Sequence, residues 1–145
     1  MTIAVVLKQK GQDVISVGPD TAVAEIAHTI TSRRIGAVVV REPSGRLVGI
    51  VSERDVVSAI AHHGASALDM QARDLMTRDV QTVTPETTVD AAMEIMDSGY
   101  FRHLPVCSRD GVLTGIVSIR DLVKHKIMLH QHDVESLKAY VSGMA

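Results

Sequence analysis

The pattern Gly-Ile-Val-Ser-x-Arg-Asp stands twice in this chain, as Gly49–Asp55 and as Gly115–Asp121. Each copy holds three side chains suited to polar chemistry: Ser52, Arg54 and Asp55 in the first, Ser118, Arg120 and Asp121 in the second. One reading is a capping box, in which Ser at the cap and Asp three residues on each satisfy an orphan backbone N–H, for about 1 kcal/mol. Capping leaves the glycine before the strand end unexplained. It also leaves an arginine at the second helical position, where a cation opposes the helix dipole by about 0.3–1 kcal/mol. The other reading is an anion site. A helix N-terminus with an arginine beside it suits phosphate, and the neighbouring Asp can accept from a ribose diol. The residues alone leave both readings standing.

Other constellations carry less. Of the seven histidines, only His62-His63 and His130-x-His132 cluster. Helical neighbours point about 100° apart, so neither pair suits one metal, and exposed or capping histidines are expected. Cys107 is the single cysteine. It excludes an intrachain disulfide and a Cys-based zinc cage, and with no base placed beside it a small buried hydrophobe is expected, so catalysis is not. No Gly-x-Gly-x-x-Gly follows a strand, which argues against a Rossmann site. Met70/Met76 and Met93/Met96 read as core filler. Arg33-Arg34 and Lys124-His125-Lys126 are too short to indicate nucleic acid.

The elements that must position these motifs follow from a repeat. Val14-Ile-Ser-Val17-Gly-Pro19-Asp-Thr21-Ala-Val23 returns as Val80-Gln-Thr-Val83-Thr-Pro85-Glu-Thr87-Thr-Val89, a shift of 66 positions, and the Gly-Ile-Val-Ser motif returns at the same shift without a gap. This is a duplication. In each copy a short strand, Val14–Val17 or Val80–Val83, ends before a proline. Asp20/Thr21 and Thr87/Thr88 are N-cap candidates for helices whose apolar positions are Val23, Ile26, Ala27 and Ile30, then Val89, Ala92, Met93 and Met96. Ile35–Val40 and Phe101–Val106 read as buried strands, Gly45 and Gly111 as hairpin turns, and Leu47–Val51 and Leu113–Val117 as returning strands. Second helices follow over Glu53–His62 and from Ile119 to about Met128. Each unit is β-α-β-β-α.

The expected boundaries are a first unit over 1–65 with an N-terminal helix Thr2–Lys10, and a second over 66–128 opened by a connector, 66–79, with a helical turn at Ala72–Met76. A tail over 129–145 carries an amphipathic helix Leu129–Val141 stopping at Gly143.

Composition narrows the partners. The chain has 145 residues, 46% hydrophobic and 22% charged, with net charge −2 and 2% aromatics. That is too apolar for disorder and carries no basic footprint for nucleic acid or an anionic membrane. Tyr100, Phe101 and Tyr140 are too few for stacking single strands. The apolar start Ile3–Leu7 is too short for a signal peptide or a span, so a soluble cytoplasmic protein is expected.

The duplicated Val-x-x-Val-x-Pro, helix, strand, Gly-Ile-Val-Ser-x-Arg-Asp pattern resembles a tandem pair of CBS domains, the cystathionine-β-synthase type, over roughly residues 1–128. It is similar to the stand-alone bacterial members. The resemblance implies an α/β (α+β) fold of two units packed sheet to sheet about a pseudo-twofold axis, two clefts, and a homodimer. It implies a regulatory module that binds adenine nucleotides rather than an enzyme: AMP first, with ADP, ATP, NAD(H) or S-adenosylmethionine as competing ligands, and a regulated protein as listener.

Carried over position by position, the resemblance assigns Ser16 and Val17 at the first strand, and Gly36, Ala37 and Val38 as backbone groups for the adenine edge. Ser52 and Asp55 would hold phosphate and ribose, with Arg54 for phosphate. The second set is Thr82, Val83, His103, Leu104, Pro105, Ser118, Arg120 and Asp121. Where the first copy has Ile35-Gly36-Ala37 the second has Phe101-Arg102-His103, so the clefts are expected to differ. Arg102 and His103 would add positive potential, in their own cleft or the neighbouring one; alternatively Arg102 is solvated and His103 pairs with a carboxylate. The competing function is a ligand-independent dimerisation scaffold whose Ser-x-Arg-Asp boxes are caps only. A catalytic role for Cys107 and His103 comes last.

Overall fold

A computed structural model describes residues 1–143. The first copy runs β1 (Ser16–Val17), α2 (Val23–Arg33), β2 (Ala37–Arg41), β3 (Leu47–Ser52) and α3 (Glu53–His63), preceded by α1 (Ile3–Lys10). A 3-10 stretch (Gly64–Asp69) and a short α4 (Ala72–Leu75) lead to α5 (Val89–Gly99), β4 (His103–Cys107), β5 (Leu113–Ser118) and α6 (Ile119–Gly143). The fold is mixed α+β, with a β1-β2-β3 sheet and a β4-β5 sheet. No described helix is long and apolar enough to cross a membrane.

The duplication is visible bond by bond. β1 lies parallel to β2 with Val17 opposite Val40, and in the second copy only the bridge Val83–Val106 survives. The strand expected over Val80–Val83 is therefore reduced to one contact. Both hairpins slip register at the same place, Val40/Arg41 and Val106/Cys107. Gly45 (φ 91°) and Gly111 (φ 81°) turn them, using the left-handed backbone open to glycine. Arg34 and Tyr100 close α2 and α5 in the same left-handed conformation, each giving its N–H to two carbonyls of the last turn.

One expected cap differs, and one is settled between its two candidates. Thr21 does not cap α2; its hydroxyl accepts from the Gly18 N–H at 3.1 Å, and Ala22 takes the cap position without a side-chain bond. Thr87 likewise serves Thr84, leaving Thr88 to cap α5 through the Ala91 N–H. The tail is not a separate helix. Nothing between Met128 and Leu129 breaks the ladder, so α6 runs 25 residues to Gly143. Positions 144 and 145 of the expected tail lie outside the described residues.

Packing crosses the sequence boundaries. Ile3, Val6 and Leu7 of α1 share a core with Val89, Leu104, Val117 and Leu122 of the second copy. Ala72, Met70 and Met76 join Val23, Ile26, Val38 and Val51 of the first. The backbone anchors correspond: Ile3 N–H to Thr87 and Ala4 N–H to Pro85 on one side, Ala72 N–H to Thr21 and Arg73 N–H to Pro19 on the other. In the packing, α1 thus lies with the second copy and α4 with the first. The cause is apolar. The strand neighbours of α1 and α4 are glycines, Gly115 and Gly49, whose bare faces admit Leu7 and Met76. Each buried Leu or Ile stabilises by about 1.5–3 kcal/mol.

Candidate functional site

Ser52 is the N-cap of α3. Its hydroxyl accepts from the Asp55 N–H at 3.3 Å, and Asp55 Oδ2 accepts from the Ser52 N–H at 2.8 Å and from its hydroxyl at 3.0 Å. Ser118 and Asp121 repeat the box on α6, with bonds of 3.1 and 2.8 Å. Capping is therefore a structural fact at both motifs. The motif's glycines are also accounted for without a ligand, since a Cβ on Gly49 would stand 2.6 Å from Met76 Sδ and one on Gly115 2.8 Å from Leu7 Cδ2.

What capping does not explain is the space above the first box. A cleft of about 450 Å³ opens there between the two copies. That volume lies in the usual range for small-molecule sites. The first copy supplies Gly36, Ser52, Glu53, Arg54 and Asp55; the second supplies Tyr100, Phe101, Arg102 and His103. Among the described residues no cation lies within ion-pair distance of Asp55. Arg54 is exposed on the first turn of α3, beside the partial positive charge of the helix end.

His103 reaches across to the first copy. A Cβ on Gly36 would come within 2.8 Å of its Cε1 and Nε2, so the glycine gives the ring its place. Burial first, then the Lys10 ammonium, pushes the His103 imidazole below its ordinary 6.5, against the opposing pull of Asp121 and Glu53.

The remaining sequence-derived positions lie elsewhere. Thr82 and Val83 line a separate depression of about 790 Å³ at the hairpin turns, with Arg41 and Cys107. Burial raises the Cys107 thiol above its ordinary value, partly offset by Arg41. Ser16 is exposed and Val17 half-buried on β1. Ala37, Val38, Leu104 and Pro105 are buried within strands, Val38 and Leu104 deep in the two cores. Ser118, Arg120 and Asp121 border neither depression. Among the described residues no three His, Cys, Asp or Glu side chains converge as a metal site.

Sequence reasoning missed one part of the cleft lining, formed by Thr77, Asp79, Val80 and Gln81. The repeat held a signal: Val80 and Gln81 are the counterparts of Val14 and Ile15, next to an assigned position. Thr77 belongs there because its backbone pairs both ways with Ile50, at 3.2 and 3.0 Å.

A duplicated α+β unit with a cleft between its copies defines a tandem-repeat module. The chain belongs to the CBS-domain family, whose model matches residues 10–62 and 72–127. It is 43% identical to the CBS-domain containing protein ATU1752 from Agrobacterium tumefaciens, whose crystal structure superposes with a TM-score of 0.83 over 86% of this chain and 98% of that one. It is 35% identical to the mitochondrial CBS domain-containing protein CBSX3 of Arabidopsis thaliana, over 98% of this chain and 72% of the relative. The CBS domain protein PAE2072 from Pyrobaculum aerophilum, solved complexed with AMP, is 28% identical with a TM-score of 0.75, over 83% and 89% of the two chains.

Proposed function

We propose that this chain is a regulatory module that binds an adenine nucleotide, AMP in first place, between its two CBS units, and performs no catalysis. The observation that carries the reading is Asp55. Its carboxylate is held by the Ser52 N–H and hydroxyl on the wall of the cleft, with no cation taking its charge among the described residues. Such a carboxylate suits a ribose diol, while the α3 N-terminus, Arg54 and Arg102 suit phosphate. The AMP bound to the similar Pyrobaculum chain supports the same ligand class. Ligand binding would act by favouring one packing of the two units over another. The listener would be a second copy of this chain or a regulated protein, and Val57 and Ile60 on α3 with Val123 and Ile127 on α6 offer exposed apolar surface for a homodimer.

One observation favours the scaffold reading instead: both Ser-x-x-Asp boxes are complete as caps without a ligand. A thermal-shift panel of AMP, ADP, ATP, NAD, NADH and S-adenosylmethionine separates the two. Saturation at about 100 times Kd adds roughly 2.7 kcal/mol, or about 5–10 °C in Tm. A panel that moves nothing leaves the scaffold.

A further inference from the structure

The Ser52–Asp55 box borders a depression and the Ser118–Asp121 box borders neither one described above, and α1 and α4 end differently beside them. After Leu75 the chain leaves α4 extended, and the backbone of Thr77 satisfies Ile50. α1 instead stays helical to Lys10, so its backbone never reaches Ile116, the counterpart of Ile50. The Lys10 ammonium does so in its place, donating to the Ile116 carbonyl at 2.6 Å and to Asp121 Oδ2 at 2.6 Å. Where Lys10 ends its helix, the first cleft has Asp79 after its shorter one.

We propose that Lys10 is a built-in occupant of the second Ser-x-x-Asp box: it holds the Asp121 carboxylate that corresponds to Asp55, so the chain accepts one nucleotide, beside Asp55. This rests on the adenine-nucleotide reading above. The geometry supplies its logic. The ammonium neutralises the Asp121 carboxylate and shares its Oδ2 with the Ser118 N–H, so a diol that needs both oxygens must displace a pair that is partly shielded from water, with side chains 31% and 24% exposed. Burial alone would raise the Asp121 carboxyl, yet the hydrogen bonds from Lys10 and Ser118 bring it below its ordinary value. The Asp55 box has no such occupant.

Binding stoichiometry tests it on the full chain with AMP as probe, by calorimetry and equilibrium dialysis. Wild type should take one AMP per chain and Asp55→Ala none. Lys10→Met, which keeps the aliphatic stem, should take two, and Lys10→Met with Asp55→Ala should take one. Two AMP per wild-type chain, or one per Lys10→Met chain, overturns the proposal. Weaker binding by Lys10→Met also overturns it, because Lys10 is then a ligand contact. A carboxyl-carbon NMR titration of Asp121 separates this outcome from failure of the nucleotide reading. Its midpoint should rise in Lys10→Met whether or not AMP binds, and an unmoved midpoint dismisses the occupant by itself. No AMP uptake by any variant, with the midpoint raised, removes the nucleotide reading and the one-nucleotide claim while leaving the contact in place.

Discussion

Met76 covers Gly49 so closely that a β-carbon on the glycine would stand 2.6 Å from its sulfur and 2.8 Å from its Cγ. The glycine that opens the repeated motif is thus a packing residue. Gly49→Ala should destabilise the fold by about 1–3 kcal/mol, as overpacked cores do, and lower Tm by about 2–4 °C per kcal/mol. Adding Met76→Ala should return part of the loss, giving a coupling in the double-mutant cycle measured by urea denaturation. Strict additivity would mean that the contact is not the cause.

Tyr100 should be replaceable by glycine with a gain in stability. It is 86% exposed and sits at φ 56°, a left-handed conformation that costs a side-chain-bearing residue about 1 kcal/mol. Tyr100→Gly should raise the urea midpoint by that order, and Arg34→Gly at φ 53° should do the same. If nucleotide affinity falls in Tyr100→Gly while Arg34→Gly leaves it alone, the tyrosine is a ligand contact at the cleft rim.

His103 gives the fold a pH dependence of known sign. Its folded value lies below 6.5, so above that pH it is neutral in both states and nothing is lost. As pH falls below 6.5 the unfolded chain takes the proton first, and stability declines until the folded value is passed. The advantage of wild type over His103→Gln should therefore shrink between about pH 7.5 and pH 5. A difference that stays flat across that interval would show that burial of this ring carries no penalty.

Asp121 works in the opposite sense. Its folded value is depressed below 3.8, so its contribution is complete above that pH and is lost as pH falls through the folded value. Lys10→Met should denature at a higher pH than wild type in an acid titration followed by circular dichroism. Superimposable acid transitions would argue that the ion pair adds nothing to the folded state.

Much of this architecture was legible from spacing. The apolar positions of α2 and α5, the glycine turns at Gly45 and Gly111, and the serine starts of α3 and α6 lie where local rules put them. Local rules failed where a group was claimed by a partner they did not anticipate. Thr21 looked free to cap α2, but its hydroxyl serves Gly18. Val80 looked like a strand residue, yet it lines the cleft, and only Val83 pairs with a neighbour. The partners of Lys10 lie 106 and 111 residues away, a distance no periodicity encodes. Among the assigned site positions, the motif residues Ser52, Arg54 and Asp55 border the cleft, whereas Val38 and Leu104 are spent on the cores. A strand position named for its backbone says nothing about where its side chain is needed.

The exchange of α1 and α4 between the copies also sets an order of events during synthesis. Ile3, Val6 and Leu7 leave the ribosome well before their core partners Leu104, Val117 and Leu122. At about 5–20 residues per second, the amino-terminal helix waits several seconds with its apolar face uncovered. The first unit, completed by Met76, can close earlier. The nascent chain therefore passes through a half-finished state in which α1 waits for partners made long after it.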